Sequence, residues 1–350
     1  MKICLYPYTE QSGIGTYILE LKKVFKDSVA IKPVKTTFFG KIPPIIYLNY
    51  YLINKKLEKK IDDINPDLFF TSDLIPFTNI KCKKIEVAWD YPKPIIECFR
   101  LAKKYSPWYL LPYFFFREIE FSLLNRISLK KNNKIIAINK KIENRLGELD
   151  VVYIPPGINV KENKEKKYDK FTICFIARNH IWTKRKGLKY LLDALFELEK
   201  YNLDYELVII GNIPFYHNLK LNKYKKNKFF KKIKTTGLLS REETLKILSK
   251  SHLLAAPSLF DELGFVILEA LSLGIPLITS DNYAFTEILT DKCGIITNIK
   301  DKKRFSEDLL KLINNKKIIN DMGKEAIKRI KENYSWDVLM PKLKRVIDNI

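Results

Sequence analysis

Two acidic side chains flank a small-residue loop in the last third of the chain. Asp261 and Glu269 are separated by seven residues, and Gly264, Phe265 and Val266 lie between them. If a helix begins in this loop, its first backbone N–H groups favour a phosphate, because the helix dipole is positive at that end. Glu269 is predicted to lie deeper than Asp261 and to face ribose hydroxyls. This layout is typical of a nucleotide-sugar site.

A second group of chemically competent residues is cationic. The apolar stretch 171–177 predicts a strand, and it is followed by Arg178 and then by Lys184, Arg185 and Lys186. Cations at the end of a strand can neutralise a leaving diphosphate. A solvated, lysine-rich loop is the alternative for this segment.

The glycines near the N-terminus, the lack of an Asp-x-Asp pair and the histidines give weaker indications of a ligand site. Gly13 and Gly15 follow the first predicted strand and would let the backbone approach a pyrophosphate, although a simple tight turn explains them equally well. No Asp-x-Asp pair occurs, so we expect no divalent metal and no cofactor, and charge neutralisation falls to cations and helix N-termini. The three histidines have no metal-ligand spacing, and His252 is expected to be structural.

The chain has 350 residues, which predicts two domains. Its net charge of +23 comes from 63 Lys+Arg against 40 Asp+Glu and could indicate nucleic acid or an anionic membrane as a partner. Much of the excess is lysine scattered among Ile, Asn and Tyr, which is typical of compositional bias, so no nucleic acid is expected. The densest basic run, residues 220–234, is predicted to be an exposed helix or a loop.

The five cysteines are widely spaced, mostly among apolar neighbours, and indicate reduced thiols in the cytoplasm rather than disulfides or a metal site. No signal peptide is evident at the N-terminus.

Residues 105–116 are mostly aromatic or apolar, too short for a membrane span and flanked by basic residues. They are predicted either to contact an anionic membrane peripherally or to line an acceptor pocket or the core.

Alternating strand and helix patterns organise the whole chain and predict parallel sheets covered by helices. Residues 1–160 are predicted to form an N-terminal, acceptor-side Rossmann-like domain, and the polar segment 161–170 a linker. Residues 171–334 are predicted to form a donor-binding Rossmann-like domain. Predicted strands lie at 2–6, 68–71, 85–88, 135–138, 151–154, 171–177, 205–211, 253–257 and 276–280, and predicted helices at 17–25, 188–199, 241–249, 262–272 and 305–314.

Several motifs in order resemble the retaining glycosyltransferases of family 4, which have the GT-B fold of two doubly wound, Rossmann-like α/β domains facing a central cleft. The similarity covers most of the second half of the chain and is weaker towards the N-terminus. The motifs are SGIG at 12–15, IPPGIN at 154–159, FIAR at 175–178, RKG at 185–187, LVIIGN at 207–212, TGLLSREE at 236–243 and the long segment beginning PSLFDELGF at 257.

The resemblance implies a role for each matched residue. Arg178 and Lys186 hold the donor pyrophosphate, and Gly15 approaches it from the first domain. Glu269 binds the ribose hydroxyls, while Asp261 and the amides after it hold the donor sugar. The base is lined by Gly237 and Leu238 with Gly211 nearby, and a C-terminal helix at 335–350 returns to the first domain.

Three departures from the family pattern affect this assignment. Asp261 replaces the first glutamate of the family's E-x7-E pair, which leaves the sugar open. The loop before Lys186 is longer than usual, so Lys184 could be the phosphate cation instead. Trp89 stands where a histidine is often found, and Asp90 after it is a candidate catalytic residue on the acceptor side.

The sequence therefore predicts a retaining, metal-independent glycosyltransferase that is cytoplasmic or peripheral on the membrane. Its donor is expected to be a UDP- or GDP-sugar, and its acceptor a sugar, lipid or protein. Two alternatives are another GT-B-type nucleotide-sugar enzyme, such as an epimerase or phosphorylase, and a non-catalytic basic protein that binds nucleic acid or membrane.

Overall fold

The computed structural model describes residues 1–7, 13–33, 45–72, 78–89, 96, 111–160, 163–177, 185–212, 228–259, 261, 264–281 and 283–350. The chain forms two compact units. Unit 1 comprises Met1–Gly157 and Leu339–Ile350, and unit 2 comprises Ile158–Val338.

Unit 1 is built on a six-stranded sheet whose strand order is β2-β1-β3-β4-β5-β6. All pairings are parallel, as in Phe70 opposite Ile85 and Ile135 opposite Val151. Its elements are β1 Ile3–Tyr6, α1 Gly13–Val24, β2 Val29–Ala30, α2 Ile45–Ile64, β3 Leu68–Thr71, β4 Lys83–Ala88, α3 Leu111–Leu129, β5 Lys134–Ala137, α4 Lys140–Arg145 and β6 Val151–Tyr153.

Unit 2 repeats the architecture with the strand order β12-β11-β10-β7-β8-β9, again parallel throughout. Two short 3-10 helices, Leu198–Tyr201 and Lys228–Lys232, interrupt the connections. The other elements are β7 Phe171–Ile176, α5 Leu188–Glu197, β8 Tyr205–Ile210, β9 Ile233–Gly237, α6 Arg241–Lys250, β10 Leu253–Ala256, α7 Phe265–Ser272, β11 Leu277–Ser280, α8 Tyr283–Ile288, β12 Gly294–Thr297, α9 Lys302–Ile313 and α10 Lys316–Asn333. The last helix, α11 Trp336–Asp348, begins in unit 2 and belongs to unit 1 from Leu339 onwards.

The core of unit 2 explains why its strands have nearly continuous apolar sequences. β7 reads FTICFI, and its first five residues are buried, as is typical of a central parallel strand that is covered on both faces. Helix α5 buries Leu188, Leu191, Leu192 and Leu195, which are spaced as one helical face. The predicted fold class, two parallel-sheet α/β units, is thereby confirmed.

Several predicted boundaries differ from those in the structure. The helix predicted at 262–272 begins only at Phe265, because Gly264 is its N-cap. Helix α1 begins at Gly13, so Gly15 lies in the first helical turn rather than in a loop. In the basic run 220–234, the described part is a 3-10 helix followed by edge strand β9 rather than a longer helix or loop.

The predicted linker is fixed to unit 2 in its described part. The Asn163 side chain donates hydrogen bonds to the carbonyls of Ser249 (2.9 Å) and Leu273 (3.1 Å). Lys167 Nζ donates to the carbonyls of Ser249 (2.9 Å) and Ser251 (2.8 Å) near the C-terminus of α6, where a cation complements the helix dipole. The division between the units therefore falls after Gly157, whereas the sequence predicted it at 161–170.

The apolar segment 105–116 is described only from residue 111, where α3 begins. Within the described ranges, no helix has the length and hydropathy needed to cross a bilayer. The same ranges contain no cluster of three side chains able to hold a metal ion. Cys4, Cys82, Cys174 and Cys293 are free thiols.

Candidate functional site

The candidate site lies in unit 2, where the carboxyl ends of β7 and β10 meet. These strands are neighbours in the sheet, with Cys174 opposite Leu254. In open parallel sheets, ligands bind in the crevice outside the carboxyl ends of the strands. A pocket opens there, and its lining includes Ile176, Lys186, Ala256, Ser258, Asp261 and Val266.

Asp261 is the centre of a small ion cluster in this pocket. Lys186 Nζ donates to Asp261 Oδ2, and Arg185 Nη2 lies 3.7 Å from Asp261 Oδ1. Asp261 is only 8% exposed, and buried charged side chains are normally paired in this way. The sequence predicted that Asp261 binds the donor sugar and that Lys186 binds the donor pyrophosphate. The structure brings these two side chains into direct contact.

The backbone next to Lys186 explains this placement. Gly187 has φ +77°, and a Cβ there would lie 1.9 Å from the Pro257 carbonyl oxygen. The amide of Leu259 donates to the Arg185 carbonyl at 2.7 Å. Only glycine permits this close approach, which holds the start of α5 against the segment that leads to Asp261.

Glu269 forms the second ion pair of the site. It lies inside α7 and accepts a hydrogen bond of 2.8 Å from Arg241 Nε. Arg241 is the first residue of α6 and is positioned by a capping box, in which Ser240 and Glu243 satisfy each other's backbone N–H groups. Glu269 and Asp261 are equally buried, at 8% exposure each, and the deeper position of Glu269 in the ligand site stays a prediction.

The N-terminus of α7 lies between the two carboxylates in the sequence. Gly264 is the N-cap, its carbonyl accepts from the Ile267 amide at 2.8 Å, and Phe265 and Val266 form the first turn. The amides of a first helical turn have no partner further back in the helix. The helix start therefore has the polarity to bind an anionic or strongly polar ligand group, as predicted for Gly264, Phe265 and Val266.

The residues predicted to line a nucleotide base also lie together. The Gly211 amide donates to the Gly237 carbonyl at 2.9 Å, just beyond β8 and at the end of β9. Both glycines have positive φ, +135° and +74°. Leu238, the next residue, is 60% exposed and presents an apolar side chain that a flat ring could cover.

Some predicted residues cannot be placed in this site. Arg178, Lys184 and Asp90 lie outside the described residues. Gly15 belongs to unit 1, in the first turn of α1. Conversely, Arg241 was not predicted as a site residue; its position directly after the Ser240 cap was visible in the sequence, but its pairing with Glu269 was not.

His252 lies away from these groups, at the opposite end of the sheet. Its Nδ1 accepts from the Thr172 amide at 3.1 Å, and its ring stacks on Phe171 with centroids 5.2 Å apart. Burial, together with nearby Lys167 and Lys316, lowers the pKa of His252 to about 4. These contacts agree with the structural role predicted for His252.

The sequence of unit 2 matches a known family. Residues 158–329, a little under half of the chain, match the model described as Glycosyl transferases group 1. A curated relative from Methanocaldococcus jannaschii, the uncharacterized glycosyltransferase MJ1069, is 24% identical over 257 residues, which cover 69% of this chain. The match spans 63% of that relative's length.

Two solved structures share the fold of the whole chain. Sucrose-phosphate synthase from Thermosynechococcus elongatus superposes with a TM-score of 0.76 at 11% identity, covering 99% of this chain and 98% of the other. Anabaena Alr3699/HepE, solved with UDP and glucose, has a TM-score of 0.73 at 12% identity and full coverage of both chains. Residues 158–329 are therefore similar to the glycosyl transferases group 1, and the chain to which they belong has two Rossmann-like units and the GT-B fold.

Proposed function

We propose that this protein is a retaining glycosyltransferase that moves a sugar from a nucleoside diphosphate sugar to an acceptor hydroxyl. One observation carries the proposal. Two buried carboxylates, Asp261 before the N-terminus of α7 and Glu269 within α7, are each paired with a cation, and Asp261 lines the pocket at the carboxyl ends of β7 and β10. A donor of this class has hydroxyl groups at both ends and a diphosphate between them, which this arrangement complements.

The donor's nucleoside half would lie on the side of Glu269. Its carboxylate accepts a hydrogen bond from Arg241 and is the proposed acceptor for the two ribose hydroxyls. A base stacked near Leu238 would cover an exposed apolar side chain, with Gly211 and Gly237 close beneath it. UDP and GDP are the proposed nucleotides, and HepE was solved with UDP.

The diphosphate would lie between the two carboxylates. The described residues of the candidate site include three cations, Arg185, Lys186 and Arg241. A sugar diphosphate brings about two negative charges at neutral pH, so these cations would favour it over a neutral ligand. Arg178 and Lys184 are predicted to add further positive charge.

The chemical step is proposed to occur on one face of the donor sugar. The bond from the anomeric carbon to the diphosphate oxygen breaks, and the acceptor oxygen bonds to that carbon from the same side. A β-phosphate oxygen takes the acceptor's proton. Lys186, with Arg178, would stabilise the charge that grows on the leaving group, which is the effect that catalytic cations supply most strongly.

Asp261 would contribute on the sugar side. The interaction of a carboxylate with sugar hydroxyls becomes stronger as the sugar ring gains positive charge, so it acts mainly on the transition state.

Asp90 is a candidate residue on the acceptor side. The acceptor class is a sugar, lipid or protein, and the proposed location is cytoplasmic.

A two-stage experiment tests the proposal. A thermal-shift screen with UDP, GDP, ADP and their sugars in EDTA should give one preferred nucleotide, since a ligand at 100 times its dissociation constant adds about 2.7 kcal/mol. With that donor and candidate acceptors, NMR of the product should show the anomeric configuration of the donor. Inversion, or activity that EDTA abolishes and Mg²⁺ or Mn²⁺ restores, would contradict the mechanism.

A further inference from the structure

The outward face of α3 is apolar. Phe116 and Leu123 are each 59% exposed, and Ile127 is 41% exposed. They follow a spacing of seven and then four residues, which places them on one face of the helix. Exposed large apolar side chains in a row are unusual on a soluble helix, where that face is normally polar.

The inward face of α3 is partly polar. Ser122, Asn125 and Ser128 are buried alongside Leu124 and Leu129. The helix therefore buries polar as well as apolar residues while it leaves large apolar side chains exposed, which is unusual for a helix that only covers a sheet.

A buried carboxylate maintains this orientation. Glu86, in β4, is 3% exposed and accepts hydrogen bonds from Ser128 Oγ (2.8 Å) and Asn132 Nδ2 (2.6 Å). Asn132 also donates to the Ser128 carbonyl at 2.8 Å. Rotating the helix to hide its apolar side chains would break these two hydrogen bonds to Glu86, and the loss of hydrogen bonds to a buried carboxylate is costly.

Basic side chains lie on the same face as the apolar ones. Arg126 and Lys130 are exposed. They lie three and seven residues after Leu123, so they lie beside it and Ile127 at the C-terminal end of the helix. The outward face of α3 thus combines an apolar stripe with positive charge.

We propose that this outward face of α3, made up of Phe116, Leu123, Arg126, Ile127 and Lys130, docks on an anionic lipid surface. The apolar side chains would enter the boundary between headgroups and acyl chains, while the cations contact lipid phosphates. This places the membrane contact on the described helix rather than on residues 105–116 as a whole, and it is independent of the proposed transfer reaction.

A lipid surface fits the outward face of α3 better than a protein partner or a second copy of this chain does. A stable protein interface usually buries about 800 Å² on each partner, from some 20 to 30 residues, whereas this stripe is a single helix face. A second copy of the chain would bring the same Arg126 and Lys130 and the same net charge of +23, which opposes self-association. Anionic lipid attracts that charge.

Vesicle flotation tests the proposal with the full chain. The protein should float with vesicles of equal parts phosphatidylcholine and phosphatidylglycerol, and much less with phosphatidylcholine alone. Leu123→Ser with Ile127→Ser should weaken binding by about a hundredfold, roughly tenfold for each side chain. Arg126→Glu with Lys130→Glu should weaken it by about tenfold or more, and added salt should reduce that difference.

Tyr201→Ser is the matched control, because Tyr201 is 50% exposed but belongs to unit 2. It should bind vesicles as the parent protein does, and thermal melts should show that all variants remain folded. No flotation of the parent, or equal flotation of the Leu123/Ile127 variant, would overturn the proposal. A parent dimer that the same substitutions dissociate would also overturn it and identify a self-interface.

Discussion

Lys186 and Asp261 form an ion pair although they lie 75 positions apart in the sequence. The pair joins the start of α5 to the loop before α7, and Arg185 lies close enough to share the charge of the carboxylate. The proposed phosphate cation and the proposed sugar-binding acid therefore contact each other directly. A donor would have to redistribute these contacts, which makes the pair the most informative target for substitution.

Lys186→Ala is expected to reduce turnover by about tenfold to a thousandfold, because charge stabilisation of the leaving diphosphate is lost. Initial rates at saturating donor measure this effect. Lys189→Ala is the control: Lys189 lies one turn away on α5, is 63% exposed and pairs with Asp193, so its removal should leave turnover unchanged. Arg178→Ala should resemble Lys186→Ala.

The same assay distinguishes the two candidate lysines. If Lys184 is the phosphate cation, only Lys184→Ala will lower turnover and Lys186→Ala will not. Near-normal rates in the Arg178 and Lys186 variants together would remove both residues from the proposed mechanism.

The two carboxylates should give different binding signatures. Glu269→Ala should weaken the free nucleoside diphosphate and the nucleotide sugar equally, by about 1.5 to 3 kcal/mol, since it removes a charge-assisted hydrogen bond to the ribose. Asp261→Ala should leave nucleoside diphosphate affinity nearly intact and lower turnover. Calorimetry with both ligands, alongside initial rates, measures the difference.

Asp204→Ala serves as the control for that comparison, because Asp204 is largely exposed and pairs with Lys170 outside the site. The roles are misassigned if Asp261→Ala weakens the free nucleotide as much as Glu269→Ala does.

Gly187→Ala should destabilise unit 2 more than Gly237→Ala does. Both glycines have similar positive φ, +77° and +74°. An alanine in this left-handed backbone conformation costs about 1 to 2 kcal/mol, so both variants should lose that much stability. Only at Gly187 would the new Cβ meet a backbone atom, the Pro257 carbonyl oxygen at 1.9 Å, whereas nothing lies within 4 Å of the Cβ at Gly237. Urea unfolding measures both changes, and equal losses would contradict the contact.

His252 should make stability depend on pH in the acidic range. Its folded-state pKa of about 4 lies below the ordinary value of 6.5, so between these values the unfolded chain binds more protons than the folded protein. The stabilisation by neutral His252 is therefore present above pH 6.5 and is lost as pH falls towards 4.

His252→Asn tests this directly, because asparagine retains an acceptor for the Thr172 amide but does not titrate. The difference in unfolding free energy between the parent and this variant should shrink as pH is lowered from 7 to 5. A constant difference would mean that the histidine does not titrate differently on folding.

The sequence by itself determined the α/β class, most strand positions in both units and the location of the chemical motifs. Strands such as β7 and β10 are short apolar runs bounded by polar residues, and the burial of both faces of a parallel sheet requires such runs whatever their neighbours are. Elements with weaker local patterns were missed. Edge strand β9, with Lys234 and Thr235 exposed, is one of them.

Only the tertiary structure decided which side chains meet. Because β7 pairs with β10 as well as with β8, the segment after β7 lies against the segment after β10, and Lys186 reaches Asp261. Arg241 reaches Glu269 through the packing of α6 beside α7. Strand order and helix packing depend on contacts across the whole unit, so the ion pairs that they create leave no local signal in the residues that form them.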